Sequence, residues 1–195
     1  MNESKESLSQ IHLANDRGQT AVVVELCKKH LLNFPKHGLA WLSYGMAQVE
    51  LARYAEAEKA IKTAMTLCPP RALPSVCAQM GHLFQAKGEL KQAASWYRKA
   101  LSRNPTDATW HIFLASNTFK RGLLKQAEMY YRRALKCSEG CLDEAYFNLG
   151  GILLGRRNYS EAIKCYEEAL KIDPKYTIAK ERLDDAKLAL LLKNS

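Results

Sequence analysis

The 195-residue sequence predicts an all-α protein built from repeated helix pairs. Three observations support this prediction: a series of small and apolar residues that returns about every 34 positions, helical spacing of the apolar residues within each unit, and proline near the end of most units. A period of roughly 20 to 50 residues is the signature of repeat proteins, in which each unit buries its apolar face against its neighbours. With 47% hydrophobic and 25% charged residues, the composition is that of an ordinary globular protein.

Composition and motifs argue against several classes of protein. No apolar stretch reaches the roughly 20 residues of a bilayer-spanning helix, and the N-terminus MNESKESLSQ lacks the basic flank and apolar block of a secretory signal. We therefore expect a cytoplasmic protein. The six cysteines form no CxxC pair, so reduced structural thiols are expected and a disulfide framework is not.

Two segments align without a gap and define the repeat: QMGHLFQAKGELKQAASWYRKALSRNP, and NLGGILLGRRNYSEAIKCYEEALKIDP. The matching positions are Gly81 and Gly150, Ala93 and Ala162, Tyr97 and Tyr166, Ala100 and Ala169, and Pro105 and Pro174. Two further units carry the same series: Gly45, Ala57, Ile61, Ala64 and Pro69, and Ala115, Ala127, Tyr131 and Ala134, with Glu139 in the proline position. Small residues let two antiparallel helices approach closely, an aromatic ring fills the space above them, and proline ends the second helix.

This series resembles the tetratricopeptide repeat (TPR), a helix-turn-helix unit with small and aromatic residues at fixed positions and a closing proline. The resemblance covers nearly the whole chain and implies a right-handed α-solenoid of about five TPR helix pairs followed by a C-terminal capping helix. The implied boundaries are a TPR array over residues 1–176, made of a degenerate repeat at 4–37 and repeats at 38–71, 74–107, 108–141 and 143–176, and a capping helix at 177–195.

The first unit departs most from the repeat series. Pro35 lies 34 positions before Pro69, and Gly18 takes the place of the inter-helix glycines of later units. Its small positions hold larger or polar residues, namely Ile11, Val23, Cys27 and His30. Terminal repeats commonly diverge because one face meets solvent, so this unit is predicted to be an N-terminal cap.

The last segment, TIAKERLDDAKLALLLKN, is predicted to be the first helix of a further repeat that has no second helix. One helical face of this segment is apolar and would cover the preceding unit; it holds Ala179, Leu183, Ala186 and Leu190. Asp184 and Lys187 stand where other repeats contact their second helix. Charge at these positions is expected when that side of the helix faces solvent.

The resemblance also implies where a partner binds. In this family the first helices of successive repeats line a concave groove that receives a peptide or a helix. The groove side chains implied here are Leu39, Leu42, Met46, Val49, His82, Ile112, Phe119, Phe147, Leu154, Leu188 and Leu192. Because most of them are apolar, and proteins rarely leave such a surface bare, we expect an interaction scaffold that binds an amphipathic helix or an extended apolar peptide segment.

Some members of this family bind chaperones and hold a C-terminal carboxylate between lysine, asparagine and arginine residues of consecutive repeats. In the best register of this sequence, only Asn148 and Arg182 fit that clamp. A standard clamp for the chaperone C-terminus is therefore not expected.

Two other uses of the surface stay open. Eleven basic and four acidic side chains lie between residues 74 and 139, and six basic residues recur on second helices: Arg98, Lys99, Arg103, Arg132, Arg133 and Lys136. These could bind RNA or an acidic protein tail, although a solvated face whose long basic stems cover apolar atoms is the simpler interpretation. Leu188 and Leu192 lie opposite the packing face of the last helix, which favours self-association as the other alternative.

No motif for catalysis or cofactor binding is found. The sequence has no GxxxxGK[ST] or GxGxxG phosphate loop, no HExxH motif and no cysteine and histidine spacing of a zinc site. A nucleophile with a general base cannot be assembled from its residues either. We therefore expect no enzyme activity, no cofactor and no metal.

Overall fold

A computed structural model describes residues 2–194, with the side chains of residues 3–194. The protein is 81% helical, and this described range contains eleven α-helices and no β-strand. The helices are α1 (Asn2–Asp16), α2 (Thr20–Asn33), α3 (Gly38–Glu50), α4 (Tyr54–Leu67), α5 (Leu73–Ala86), α6 (Leu90–Arg103), α7 (Ala108–Lys120), α8 (Leu124–Ala134), α9 (Leu142–Gly155), α10 (Tyr159–Ile172) and α11 (Thr177–Asn194). The predicted all-α solenoid class is confirmed.

The helices form two compact units. Unit 1 ends at Arg103 and contains α1 to α6, and unit 2 begins at Asn104 and contains α7 to α11. Unit 1 holds the pairs α3 with α4 and α5 with α6, preceded by α1 and α2. Unit 2 holds the pairs α7 with α8 and α9 with α10, and α11 packs mainly on α10.

Proline follows the second helix of four pairs at a constant distance. A single residue separates the last helical residue from the proline in each case, at Pro35, Pro69, Pro105 and Pro174. The helix cannot continue there because proline lacks an N–H and restricts the residue before it. Where Glu139 replaces proline, α8 ends earlier, and the carbonyl of Glu139 accepts the N–H of Ala108 at 2.8 Å.

The turn inside each pair contains one residue in the left-handed backbone region. Gly18, Gly88 and Gly122 have φ values of 64°, 78° and 74°, and Ala52 and Arg157 take the corresponding places with φ values of 55° and 60°. Glycine enters this region without a Cβ clash, whereas other residues hold it at a cost of about 1–2 kcal/mol. The repeat therefore keeps its turn geometry even where the glycine is absent.

Close packing within a pair depends on a small residue opposite a large buried one. A Cβ atom built on Gly81 would overlap the ring of Tyr97, and a Cβ on Gly150 would lie 2.8 Å from Cε1 of Tyr166. Both tyrosines are 1% exposed. The predicted close approach of the two helices under an aromatic ring is confirmed in these pairs.

We expect Gly150→Ala to lower the free energy of unfolding of unit 2 by about 1–3 kcal/mol, the usual cost of overpacking a core. The neighbouring Gly151 is a matched control, because a Cβ there would meet only the Tyr166 Oη, at 3.9 Å. Gly151→Ala should be neutral or stabilising, since alanine favours a helix over glycine by up to about 1 kcal/mol. Urea denaturation followed by circular dichroism measures both variants. Equal losses would contradict the close contact between Gly150 and Tyr166.

A chain of hydrogen-bonded side chains joins the first three helices of unit 1. His30 of α2 is 2% exposed; its Nδ1 lies 2.6 Å from Oγ of Ser7 in α1, and its Nε2 lies 3.1 Å from Nδ1 of His37, which precedes α3. Burial lowers the pKa of both imidazoles, and the nearby His37 lowers that of His30 further. Burial therefore favours the neutral form of both rings in the folded protein.

Unit 1 should lose stability as the pH falls below about 6.5, the ordinary pKa of histidine. Folding lowers the pKa of both imidazoles, so the unfolded chain binds protons at a higher pH, and protonation favours the unfolded state. The stabilisation is fully present above that pH and is lost below it. His30→Gln keeps a polar side chain but cannot titrate, so its unfolding free energy should depend less on pH than that of the wild type in urea denaturation on both sides of this pH. Parallel pH profiles would contradict this account.

Candidate functional site

A cleft of 640 Å³ lies in unit 2, within the range of about 300–1,000 Å³ that ligand sites usually have. Three first helices of the repeats, α7, α9 and α11, contribute to it, and two tyrosines of the second helices α8 and α10 lie at its base. The lining residues are Ser116, Phe119 and Lys120 of α7, Phe147, Asn148, Gly151, Ile152, Leu154 and Gly155 of α9, Arg182 of α11, and the basal Tyr131 and Tyr166.

Two glycines of α9 keep the cleft open. A Cβ on Gly155 would meet nothing within 4 Å, and a Cβ on Gly151 would meet only the hydroxyl of Tyr166. The hydroxyl of this tyrosine therefore lies directly beneath Gly151. Burial raises the pKa of Tyr166 to about 12, so the group stays protonated at neutral pH and is able to donate a hydrogen bond to a ligand.

The more exposed apolar surface of the cleft comes from three side chains. The ring of Phe147 is half-buried and packs against Tyr166 and Tyr176, with ring centroids 5.9 and 4.9 Å apart. Phe119 of α7 is 50% exposed, and Leu154 of α9 is half-buried. Because the packed tyrosines fix the ring of Phe147, the apolar wall is formed before any ligand arrives.

The charge in the cleft is positive. Lys120 and Arg182 contribute to its lining, and no carboxylate is found among the described residues that line it. Arg182 pairs with Asp185 at 3.2 Å, but both side chains are more than half exposed, so this ion pair is weak and open to exchange with a ligand. The Nδ2 of Asn148 donates to the carbonyl of Glu144 at 3.0 Å, which leaves its Oδ1 to accept a hydrogen bond from a ligand.

The unit 2 residues that were predicted to line a groove lie in three different environments: in the cleft, in the core, and on the exposed surface outside the cleft. Phe119, Phe147 and Leu154 come together in the cleft. Ile112 is fully buried in the core of unit 2, so its side chain is closed to a ligand. Leu188 and Leu192 are 57% and 67% exposed on α11 and lie outside the residues that line the cleft.

In unit 1, the expected groove residues also divide into exposed and buried side chains. Leu39 and Met46 of α3 are 50% and 37% exposed, and Val49 is half-buried. Leu42 is 8% exposed and packs in the interior, so a polar substitution there would disturb the fold before it tested binding. His82 of α5 is held by a hydrogen bond between its Nδ1 and the hydroxyl of Tyr97, 2.9 Å apart.

The apolar pattern of the sequence does not identify Lys120 and Gly155 as cleft residues. Lys120 follows Ser116 by four positions, so the two share one face of α7, and this spacing is the signal that could have found it. Gly155 ends α9, where a glycine is ordinarily read as a helix stop. Gly155 leaves space in the cleft because of the way the neighbouring helices pack around it, and the sequence alone does not show that packing.

The basic side chains on second helices are largely engaged within their own units. In unit 1, the Nζ of Lys99 lies 3.7 Å from the ring centroid of Trp96, and Arg103 donates to the carbonyl of Lys99 at 3.3 Å. Arg98 is exposed on the same helix.

In unit 2, Arg132 forms ion pairs with Glu128 at 3.0 Å and with Glu161 at 2.6 Å. Arg133 lies 5.9 Å from the ring centroid of Tyr130, and Lys136 is exposed. Arg132 is therefore already paired with two carboxylates of its own unit.

Burial governs the ionisation of the cysteine thiols. Burial raises the pKa of every cysteine thiol, to about 12 for Cys27 and about 11 for Cys165, so the thiols are protonated at neutral pH and poorly nucleophilic. Across residues 3–194, no group of three or more histidine, cysteine, aspartate or glutamate side chains is placed to hold a metal ion. No helix in the described part of the chain has the length and apolar character needed to cross a membrane.

Comparison with known proteins identifies the repeat and the fold. Family models of the tetratricopeptide repeat match residues 39–71, 74–107 and 143–176, which together make up more than half of the chain. Tetratricopeptide repeat protein 12 of Mus musculus is 29% identical over 119 residues, which are 60% of this chain and 17% of that protein. The chain thus spans less than a fifth of the length of this relative.

Solved structures show the same fold at low sequence identity. A thermophilic TPR protein of Thermus thermophilus superposes with a TM-score of 0.77 at 21% identity and covers 95% of this chain and 99% of its own. The first TPR of Spaghetti (RPAP3), bound to the HSP90 peptide SRMEEVD, superposes with a TM-score of 0.56 at 23% identity and covers 61% of this chain and 94% of its own.

Proposed function

Because the chain belongs to the tetratricopeptide repeat family, whose members generally act as protein-interaction scaffolds, we propose that it is a non-catalytic adaptor whose unit 2 cleft binds an apolar peptide segment of a partner protein. One observation carries this proposal. The cleft combines a preformed apolar wall with two basic side chains, and none of its described lining residues is acidic.

The chemistry of the cleft defines the ligand. Phe119, Phe147 and Leu154 favour leucine, methionine or aromatic side chains, because contact with them removes apolar surface from water. Lys120 and Arg182 favour a carboxylate next to those side chains. The ligand is therefore an extended or helical segment with both apolar and acidic residues.

The likeness to the Spaghetti TPR supports this proposal. That protein binds the peptide SRMEEVD, which holds methionine, valine and acidic residues. In this chain, Asn148 and Arg182, the two positions that fit the chaperone clamp, both line the cleft, whereas the remaining clamp positions carry other residue types. We therefore expect a peptide of related chemistry but not the standard chaperone C-terminus.

Because the cleft is rigid, the protein loses little conformational entropy when a peptide binds. Phe147 is held by two tyrosines, and the helices behind it meet over the tight contact between Gly150 and Tyr166. The ordering cost therefore falls mainly on the peptide, which has to give up its own conformational freedom.

Selection from a phage library of random dodecapeptides on the full chain tests the proposal. We expect the enriched peptides to combine leucine, methionine or aromatic residues with aspartate or glutamate. Leu154→Asp should weaken binding of a selected peptide at least about tenfold, equivalent to about 1.4 kcal/mol, because it removes apolar contact and adds a repelling carboxylate. Fluorescence anisotropy of the labelled peptide measures this loss.

Leu124→Asp is the matched control, since Leu124 is 43% exposed on α8 and lies outside the cleft lining. It should leave the affinity unchanged. A Lys120→Glu, Arg182→Glu variant should select against acidic peptides and reduce the salt dependence of binding. Enriched peptides that bind the wild type, Leu154→Asp and the charge-reversed variant equally well would exclude this cleft as the site.

Binding of RNA or another polyanion through the basic side chains of residues 74–139 is the alternative function. The observation that favours it is the placement of Lys99 over Trp96 and of Arg133 beside Tyr130, because stacked aromatic and cationic groups bind single strands. The engagement of Arg132 by Glu128 and Glu161 weighs against it.

Filter binding of a labelled oligouridylate at low and physiological salt separates the two functions. Under the adaptor proposal, the retained fraction should fall to background at physiological salt, because scattered surface cations bind phosphates only weakly there. Retention that persists, and that Arg98→Glu, Lys99→Glu removes while Leu154→Asp does not, would favour the alternative.

A further inference from the structure

A basic edge lies at one end of unit 2, where the two turns inside its helix pairs meet the last turn of α11. We define this edge by five cations: Arg121 and Lys125 at the turn between α7 and α8, Arg156 and Arg157 at the turn between α9 and α10, and Lys193 near the end of α11. The segments around them, 121–127, 155–160 and 188–194, contain no aspartate or glutamate. The edge therefore carries charge of one sign.

Contacts between helices place these cations together. Arg156 forms an ion pair with Glu128 of α8, which joins the second turn to the helix that follows the first turn. The Nζ of Lys193 lies 5.8 Å from the ring centroid of Tyr159, the first residue of α10. Because Tyr159 follows the second turn directly, the end of α11 lies beside Arg157. The two turns and the end of α11 thus form one continuous edge.

The cations of the basic edge are available to a partner. Among the described residues, Arg156 pairs with Glu128, and the other four cations form no ion pair. Glu128 also pairs with Arg132 at 3.0 Å, so this carboxylate is shared between two guanidinium groups. All five cations except the half-buried Arg121 are exposed. Ion pairs within the described part of the chain therefore leave most of the positive charge of the edge unbalanced.

The ends of the helices do not account for this charge by themselves. Cations are favoured at the C-terminal end of a helix, where backbone carbonyls lack partners. The equivalent turns of unit 1, however, mix the two signs: they hold Asp16 with Arg17, Glu50 with Arg53, and Lys87 with Glu89. The repeat fold is thus compatible with turns of little net charge, and the excess of cations in unit 2 requires another reason.

Arg157 occupies a backbone position that favours glycine. Its φ of 60° lies in the left-handed region, and three other turns hold Gly18, Gly88 and Gly122 at the corresponding place. An arginine is strained there, whereas glycine is not. Strained residues are common where a side chain has a function, and this one adds a fully exposed guanidinium to the basic edge.

Exposed leucines lie among the cations. Leu124, between Arg121 and Lys125, is 43% exposed, and Leu192, next to Lys193, is 67% exposed. The helix α11 has 18 residues and α9 has 14, and both begin at equivalent positions of the repeat, so the last turn of α11 extends beyond the end of α9. Cations beside projecting leucines suit an anionic bilayer, whose headgroups attract the charge and whose acyl region receives the apolar side chains.

The opposite end of unit 2 is rich in carboxylates. The starts of α7 and α9, the turn between α8 and α9, and the turn between α10 and α11 carry Asp107, Glu139, Asp143, Glu144 and Asp173. The backbone pairing of Asp107 with Glu139 holds two of these segments together. Unit 2 therefore has a field that directs its basic edge toward a negatively charged surface.

We propose that the basic edge of unit 2 is a docking surface for an anionic lipid bilayer, in which the five cations bind lipid headgroups and Leu124 and Leu192 insert between them. The leucines favour a bilayer over RNA, because a solvated phosphate backbone offers aliphatic side chains no apolar environment. The inference does not depend on peptide binding in the cleft of unit 2, and none of the five cations lines that cleft.

Co-sedimentation of the 195-residue chain with lipid vesicles tests the proposal. Vesicles of equal parts phosphatidylserine and phosphatidylcholine should bind the protein at least about tenfold more strongly than vesicles of phosphatidylcholine alone at low salt, and added salt should reduce the difference. Equal binding to the two kinds of vesicle would overturn the proposal.

A matched pair of charge variants locates the surface. Lys125→Glu, Lys193→Glu should lower binding to the anionic vesicles at least about tenfold, because it reverses two charges of the edge. Lys136→Glu, Lys175→Glu makes the same change in net charge at exposed positions of the opposite end of unit 2 and should lower binding far less. Equal losses would show that net charge, and not this edge, attracts the protein, and would exclude the edge as the docking surface.

A second pair of variants separates a bilayer from other polyanions. Leu124→Ser, Leu192→Ser keeps every cation and should weaken binding to the anionic vesicles at least about fivefold, since it removes the inserted apolar groups. Ile172→Ser, Ile178→Ser changes two aliphatic side chains that are 50% and 52% exposed at the other end of the unit, and should bind like the wild type. A leucine variant that binds undiminished would overturn bilayer docking and would indicate a partner held by charge alone, such as RNA.

The variant Arg157→Gly separates binding from stability. It removes one cation and supplies the residue that three other turns have, so the protein should be at least as stable in urea denaturation, while vesicle binding falls about fivefold. Circular dichroism verifies that all variants are folded. Vesicle binding that Arg157→Gly leaves unchanged would contradict the role of this guanidinium in the docking surface.

Discussion

The structure depends on one repeated contact, in which the backbone of a first helix lies against a large buried side chain of the second. At Gly81 and Gly150 the missing Cβ is the space that the rings of Tyr97 and Tyr166 occupy. The contact removes a whole tyrosine ring from water, and because protein interiors are close-packed, it also fixes the distance between the helices. Each helix pair is thereby a rigid element, and its remaining faces have to be covered by neighbours or by a partner.

The cleft of unit 2 follows from this contact. The ring of Tyr166 is pressed against Gly150, its hydroxyl lies under Gly151, and its edge packs against Phe147, so one side chain both closes the helix pair and forms the base of the cleft. Gly150 permits close packing on one side of α9, whereas Gly151 and Gly155 leave space on the side that forms the cleft. The stability of this helix pair and the shape of the proposed peptide cleft thus come from the same short segment of sequence.

The charged and titratable side chains fall into two groups: those that are held by contacts within the fold, and those that such contacts do not hold. Arg132 is paired with two carboxylates, and burial lowers the pKa of His30 and His37, so these groups are engaged within the fold. Lys120 lines a cleft without a carboxylate among the described lining residues, and Lys59 has no ion-pair partner in the part of the chain that the structure describes. The formal charge of +9 is therefore a poor guide to function, because the position and pairing of individual cations decide what they can bind.

The sequence by itself determined the helical class, the repeat and the close-packed pairs, because small residues, tyrosines and prolines act locally and recur at fixed spacing. The family resemblance also implied Phe119, Phe147 and Leu154 as groove residues; all three line the cleft of unit 2, and their role in binding is part of the proposed function. Only the tertiary structure decided that Leu42 and Ile112 are buried, that Lys120 and Arg182 line one cleft, and that Trp41 and Tyr44 line a second pocket, in unit 1. Burial and the meeting of side chains from different helices depend on how whole elements pack, and the spacing within one element does not specify this.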